Sequence, residues 1–170
     1  MSTQHEELLA FLTGIAAERL AILQRHEAGA RVVAHYDFNN TYQYIISREE
    51  THLQWLQSAL GELGAALPPP AATYPVPDVP KKGRKVEQNA YGGVLSDDAT
   101  RLLQFVERWR PRVAALGHAR HRTMLNVVLG ESMEHQQLFT QAAAGFEDLL
   151  GRRTDGSERV GEVLPARWQE

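Results

Sequence analysis

Apolar residues recur at steps of three and four from residue 3 to about residue 36: Leu8, Leu12, Ile15, Ile22, Leu23, Ala30 and Val33. That spacing lines them up on one stripe of an α-helix. The segment Tyr36-Asp37-Phe38-Asn39-Asn40 reads as a turn, because Asp and Asn side chains bond nearby backbone and favour helix starts. A second helix is predicted from there to about residue 63, with Tyr42, Ile45, Ile46, Leu53, Leu56 and Leu60 on one face. Gly64 is its expected stop, and Pro68-Pro69-Pro70 cannot continue a helix.

Residues 67–95 read as a long connection, punctuated by Pro75, Pro77, Pro80, Gly83 and Gly92. A loop of this length inside a compact domain needs a reason, and a crossover between two helical hairpins supplies one. Ser96-Asp97-Asp98 has the character of an N-cap followed by first-turn acids. Leu102, Val106, Trp109, Val113 and Leu116 then form a third stripe, interrupted by Pro111, which predicts a kink or break near Glu107. Gly117 suits the end of that helix. A fourth helix is predicted from about residue 119 to residue 150, with Met124, Val128, Leu138, Ala142 and Phe146 facing inward. The result is an all-α four-helix bundle over residues 1–150, made of two antiparallel hairpins joined by a long crossover. Residues 151–170 read as a loose polar tail, with Trp168 a residue that could dock.

Composition narrows the chemistry. A chain of 170 residues, 43% apolar and 23% charged, suits one domain with one core. Cysteine is absent, so disulfides, thiolate metal sites and cysteine nucleophiles are excluded. A net charge of −3 gives no general attraction to nucleic acid or anionic lipid. The basic run Lys81-Lys82-Gly83-Arg84-Lys85 therefore reads as a solvated loop. No apolar run is long enough to span a bilayer and the first residues lack a signal-type block, so the expected location is cytoplasmic.

Placed at about 100° per residue, several ionisable groups fall inside the apolar stripes. On the second helix the apolar face centres close to Glu49, and His52 lies about 60° away among Ile45, Leu53 and Leu56. On the fourth it centres close to His135, with Glu131 about 40° away among Val128, Leu138 and Ala142. A carboxylate in a core costs several kcal/mol of desolvation unless something offsets it. A bound cation does so, and carboxylate oxygen with imidazole nitrogen suits Fe, Mn or Zn. If the first turn centres near residues 37–38, Glu27 and Glu49 both lie about 16 Å from it and stand side by side; Glu18 points to the opposite edge. Glu107 and Glu131 match in height about the second turn, although a regular helix directs Glu107 away from the stripe. Glu134 lies on the edge of the fourth helix, as a ligand or as a support for His135.

With Glu49-Glu50-Thr51-His52 on the second helix and Gly130-Glu131-Ser132-Met133-Glu134-His135 on the fourth, the chain resembles the ferritin-like superfamily, and within it the rubrerythrin-type di-iron carboxylate proteins. The resemblance covers roughly residues 5 to 150. It implies that Glu49 and Glu131 are bridging ligands, His52 a terminal one, and Glu27 and Glu107 the lone glutamates of the first and third helices. The family spacing asks for His at position 134, whereas this chain has Glu134 followed by His135. The fourth helix thus offers Glu131 with His135, or Glu131 with Glu134, and the site takes one or two ions. The activity implied is redox chemistry of iron or manganese, with zinc as a substitute, linked to oxygen or peroxide. A homodimer is the expected assembly.

Two other readings use the same residues. One is a metal-free helical interaction module, in which Glu49 with His52 and Glu131 with His135 are hydrogen-bonded core pairs. The other is a metalloprotein resembling the DinB-like bundles, with His26, His52 and His135 as a three-His site. His26, near the centre of the first stripe, otherwise reads as a core histidine. Tyr42, Tyr44, Trp55 and Trp109 read as packing residues, and His118 with His121 as a solvated pair by the second turn.

Overall fold

The computed structural model describes residues 3–79 and 88–151; the basic run at 81–85 and the tail from residue 152, with Trp168, lie outside the described residues. The elements are α1 (Thr3–Val32), α2 (Tyr36–Glu62), a 3-10 turn (Gln88–Tyr91), α3 (Gly92–Ala114) and α4 (Ala119–Ala143), with no strand among the described residues. None of these helices is long and apolar enough to cross a membrane.

Short connections make α1 and α2 one hairpin and α3 and α4 the other, and the hairpins meet with α1 against α3 and α2 against α4. Direction follows from the cross-contacts. Glu18 meets Arg108 and Trp109, while Arg25 meets Asp97 and Asp98, so α1 and α3 run antiparallel. Glu62 meets Arg120 and His52 meets Glu131, so α2 and α4 do too. Consequently α2 and α3 point the same way, joined by the connection of residues 63–87. Its described part lies on the helices: Ala71 N donates to Ala17 O at 2.9 Å, and the Arg101 guanidinium lies 4.2 Å from the Tyr74 ring centre.

Leu12, Ile15, Ile22, Tyr42, Ile45, Leu56, Leu60, Leu102, Phe105, Leu125 and Phe139 form a closed core. Each such side chain contributes roughly 1.5–3 kcal/mol through burial. Gly14 lets the Trp109 ring lie against α1, since a Cβ there would meet it at 3.1 Å.

The helix ends differ from expectation in four places. The first turn is at residues 33–35, so Asp37, Asn39 and Asn40 lie inside the start of α2. Asn39 Nδ2 donates to Ala30 O at 2.8 Å and Val33 O at 3.1 Å, closing the end of α1 from the neighbouring helix. α3 begins at Gly92, ahead of the Ser96 cap, because the 3-10 turn feeds directly into it. It stays helical through Pro111 in its last turn, forgoing the one backbone bond that residue 111 would donate to Glu107. α4 ends at Ala143 and not near residue 150: Gly145 takes φ 94° and the chain turns away. Phe146, expected inward, is therefore 63% exposed.

Candidate functional site

Glu49 and His52 stand one turn apart on α2, and both are wholly buried. On α4 the wholly buried pair is Ser132 and His135, also three residues apart, while the Glu131 side chain, one step round the helix, is 24% exposed. The His52 and His135 rings face each other nearly parallel, 18° apart in plane and 6.3 Å between centres. The two helices therefore present matching i, i+3 pairs across the core: Glu49 with His52, and Ser132 with His135.

α1 places a cation between them. Arg19 is fully buried; its Nη1 donates to Glu49 Oε2 and its Nη2 to Ser132 Oγ. Ser132 Oγ in turn donates to Val128 O at 2.7 Å. The Phe105 ring of α3 lies 4.4 Å from the Arg19 Cζ, so the guanidinium rests on an aromatic face. The other Glu49 oxygen accepts from His26 Nδ1. His52 Nε2 donates to Glu131 Oε2, whose second oxygen accepts from Arg48 at 2.8 Å.

A second layer lies behind His26. Its Nε2 is 3.6 Å from Asp98 Oδ1, beyond hydrogen-bond length. Tyr42 donates its hydroxyl to Asp98 Oδ2, and Arg25 lies 3.3 Å from Asp98 and 3.1 Å from Asp97. The Phe139 ring packs against both His26 and Tyr42.

The electrostatics separate two kinds of group. Burial pushes the Glu49 carboxyl up, but the charges of His26 and Arg19 outweigh it and hold the pKa at about 2. Burial pulls His52 down to about 4, with Arg19 acting in the same direction. It pulls His135 down to about 3, the attraction of Glu49 being too weak to compensate. Both rings are thus neutral imidazoles near pH 7, the form that ligates metals. Neither ring nitrogen of His135 has a hydrogen-bond partner among the described residues, nor does Nδ1 of His52. Burial raises Asp98 above the usual carboxylate range and, with Asp98 beside it, raises Tyr42 as well.

Of the residues singled out in the sequence, Glu49, His52, Glu131 and His135 come together. Glu27 is half-buried on the flank of α1 and makes no described contact with the cluster. Glu107 and Glu134 are exposed, Glu107 because the helix is not redirected inward at Pro111, and Glu134 because His135, the next residue, takes the inward direction. The three-His set does not assemble, since Glu49 holds His26 towards Asp98. Arg19, Ser132 and Asp98 were missed. Arg19 lies four residues after Ile15 and three before Ile22, squarely in the first stripe, and Ser132 lies three before His135; both signals were readable. Asp98 is a first-turn acid only for a helix that starts at Ser96; α3 starts at Gly92, which puts Asp98 in the second turn and inside the bundle.

Four helices in this order and these directions, with Glu-x-x-His turned inward, make a ferritin-like bundle. No family model matches the chain, and no curated protein does. Among solved structures it is similar to a ferritin-like, diiron-carboxylate protein from Bacillus anthracis str. Ames, with a TM-score of 0.53 and 16% identity over 84% of this chain and 99% of that one. At that identity the likeness speaks for the fold.

A two-metal centre on this fold uses one Glu from each of two helices and a Glu-x-x-His pair from each of the other two. The residues here do not fit it. At the centre α1 contributes Arg19, α3 Phe105 and α4 Ser132, leaving Glu49 as the wholly buried carboxylate there. Among the described residues no three His, Asp or Glu side chains stand as a ready ligand set. The donors that do lie together are His52, His135 and Glu131, with Glu49 adjacent.

Proposed function

We propose that this bundle binds a single divalent transition-metal ion through His52, His135 and Glu131, with Glu49 beside it, as a reduced version of the carboxylate–histidine centres of ferritin-like proteins. The observation that carries the reading is His135, buried with both ring nitrogens unpartnered and with its ring facing that of His52. A buried nitrogen without a partner costs about 1–3 kcal/mol, which a bound ion would recover. Two imidazoles and a carboxylate suit iron or manganese, with zinc as a substitute. The ion, when bound, supplies redox chemistry with oxygen or peroxide. The protein keeps the imidazoles neutral, and packs Tyr44 edge-on to His135 and Trp55 against His52. Were His52 to hold the ion through Nε2, it would give up its bond to Glu131 and carry its proton on Nδ1. A cleft of about 270 Å³ beside Trp55, His121 and Met124 offers a small molecule an approach one turn from His52.

A second reading, a metal-free bundle, is favoured by a different observation: each inward acid already has an arginine, Glu49 with Arg19, Glu131 with Arg48 and Asp98 with Arg25. Elemental analysis of purified protein and titration with Mn(II) and Fe(II) separate the two. One equivalent per chain in the wild type, lost in His52→Ala and in His135→Ala, supports the single-ion site. No uptake, and no change in fold on chelation, supports the metal-free bundle.

A further inference from the structure

We infer that the Arg19 guanidinium is the built-in cation of the bundle centre, standing where a two-metal arrangement would place its second ion, and that it limits the site to one ion at most. The inference goes beyond the single-ion reading and takes from it only the count expected for the wild type.

Glu49 and Ser132 stand level on the antiparallel α2 and α4, in the register set by His52 with Glu131 and Glu62 with Arg120, and one guanidinium reaches both; His52 and His135 lie one turn to either side of that level. Glu49 and Ser132 are therefore counterparts, and in a two-metal centre both would be carboxylates reaching toward the ions between them. Here one is a serine, and the groups meeting both are the two Nη of a single guanidinium. Its planar fork suits two acceptors on different helices. Phe105 covers it from α3, the helix that would supply a further carboxylate, and offers an aromatic face in its place. Three of the positions at this level thus differ from a two-metal centre in a mutually consistent sense: a cation on α1, an aromatic seat on α3 and a neutral acceptor on α4. Arg19 does not vacate by losing its proton, because a guanidinium stays charged in proteins. Burial pulls its pKa down while Glu49 opposes the shift. A divalent ion brought alongside would face a fixed positive charge in a dry interior.

The test is Mn(II) titration by calorimetry on wild type, Ser132→Glu, Arg19→Met and the double variant Arg19→Met/Ser132→Glu, with circular dichroism confirming the helical fold of each. Removing the charge and restoring the carboxylate together should add one Mn(II) per chain relative to wild type. That ion should bind at least tenfold tighter in the double variant than any added ion in Arg19→Met. Ser132→Glu alone, with Arg19 in place, should add no ion; its new carboxylate pairs with the guanidinium and raises Tm independently of metal. Should Arg19→Met variants fail to fold, Ser132→Glu decides by itself. A second Mn(II) bound by wild type or by Ser132→Glu, or a folded double variant without an added ion, overturns the inference. Wild type that binds no Mn(II), beside a double variant that gains an ion, removes the single-ion proposal and leaves the role of Arg19 standing.

Discussion

The buried residues at the bundle centre hold one another in fixed charge states, and those states set how the protein meets acid. Glu49 titrates at about 2 when folded against an ordinary 4.5, and His135 and His52 at about 3 and 4 against 6.5. In each interval the unfolded chain binds more protons than the folded one, so stability rises with pH. The histidine contribution is complete above about pH 6.5 and fades as pH falls toward 4 and then 3; that of Glu49 is complete above about pH 4.5 and fades toward 2. Urea midpoints should be level above pH 7 and fall steadily below 6.5. The fall should be shallower in His135→Phe, which keeps an aromatic ring and removes one titrating group. A wild-type midpoint unchanged down to pH 4 would contradict this assignment. Glu49→Gln leaves Arg19 buried without its counter-charge and should cost about 3–5 kcal/mol in denaturant unfolding at pH 7. If it costs under about 1 kcal/mol, the guanidinium is not held by Glu49.

Single elements here are finished by their neighbours. α1 ends on amide bonds from Asn39 of α2, so Asn39→Ala should lower stability by about 1–2 kcal/mol, read from thermal melts, although the residue is remote from the histidines. α1 is also fastened to α3 by Glu18, which accepts from Trp109 Nε1 at 2.7 Å and from Arg108. Trp109→Phe keeps most of the apolar contact and removes that donor. It should cost about 1–3 kcal/mol, and a neutral result would mean that Arg108 alone satisfies Glu18. Sequence patterning carried the elements well, because amphipathic stripes report which face is buried. It carried their ends poorly: Asp37, Asn39 and Asn40 have turn chemistry, yet they serve a turn one step earlier in the chain.

At the scale of the molecule, the hairpins enclose a polar cluster, and an ion bound there would be coupled to folding. A native-state ion at a hundred times its Kd adds about 2.7 kcal/mol, or about 5–10 °C in Tm for a chain of this size. Mn(II) should produce that rise in wild type, a chelator should reverse it, and His52→Ala should show neither effect; equal shifts in both proteins would place the ion elsewhere. The number and type of helices and the convergence of Glu49, His52, Glu131 and His135 were determined by the spacing of apolar and ionisable residues, since a 3.6-residue period fixes direction within a helix. What neutralises the cluster was decided only when four helices met. Arg19 on α1, Phe105 on α3 and Ser132 on α4 lie far apart in the chain, and each looks ordinary in its own stripe. The guanidinium becomes a central cation because packing brings Glu49 and Ser132 to its two ends and excludes the water that would otherwise screen it.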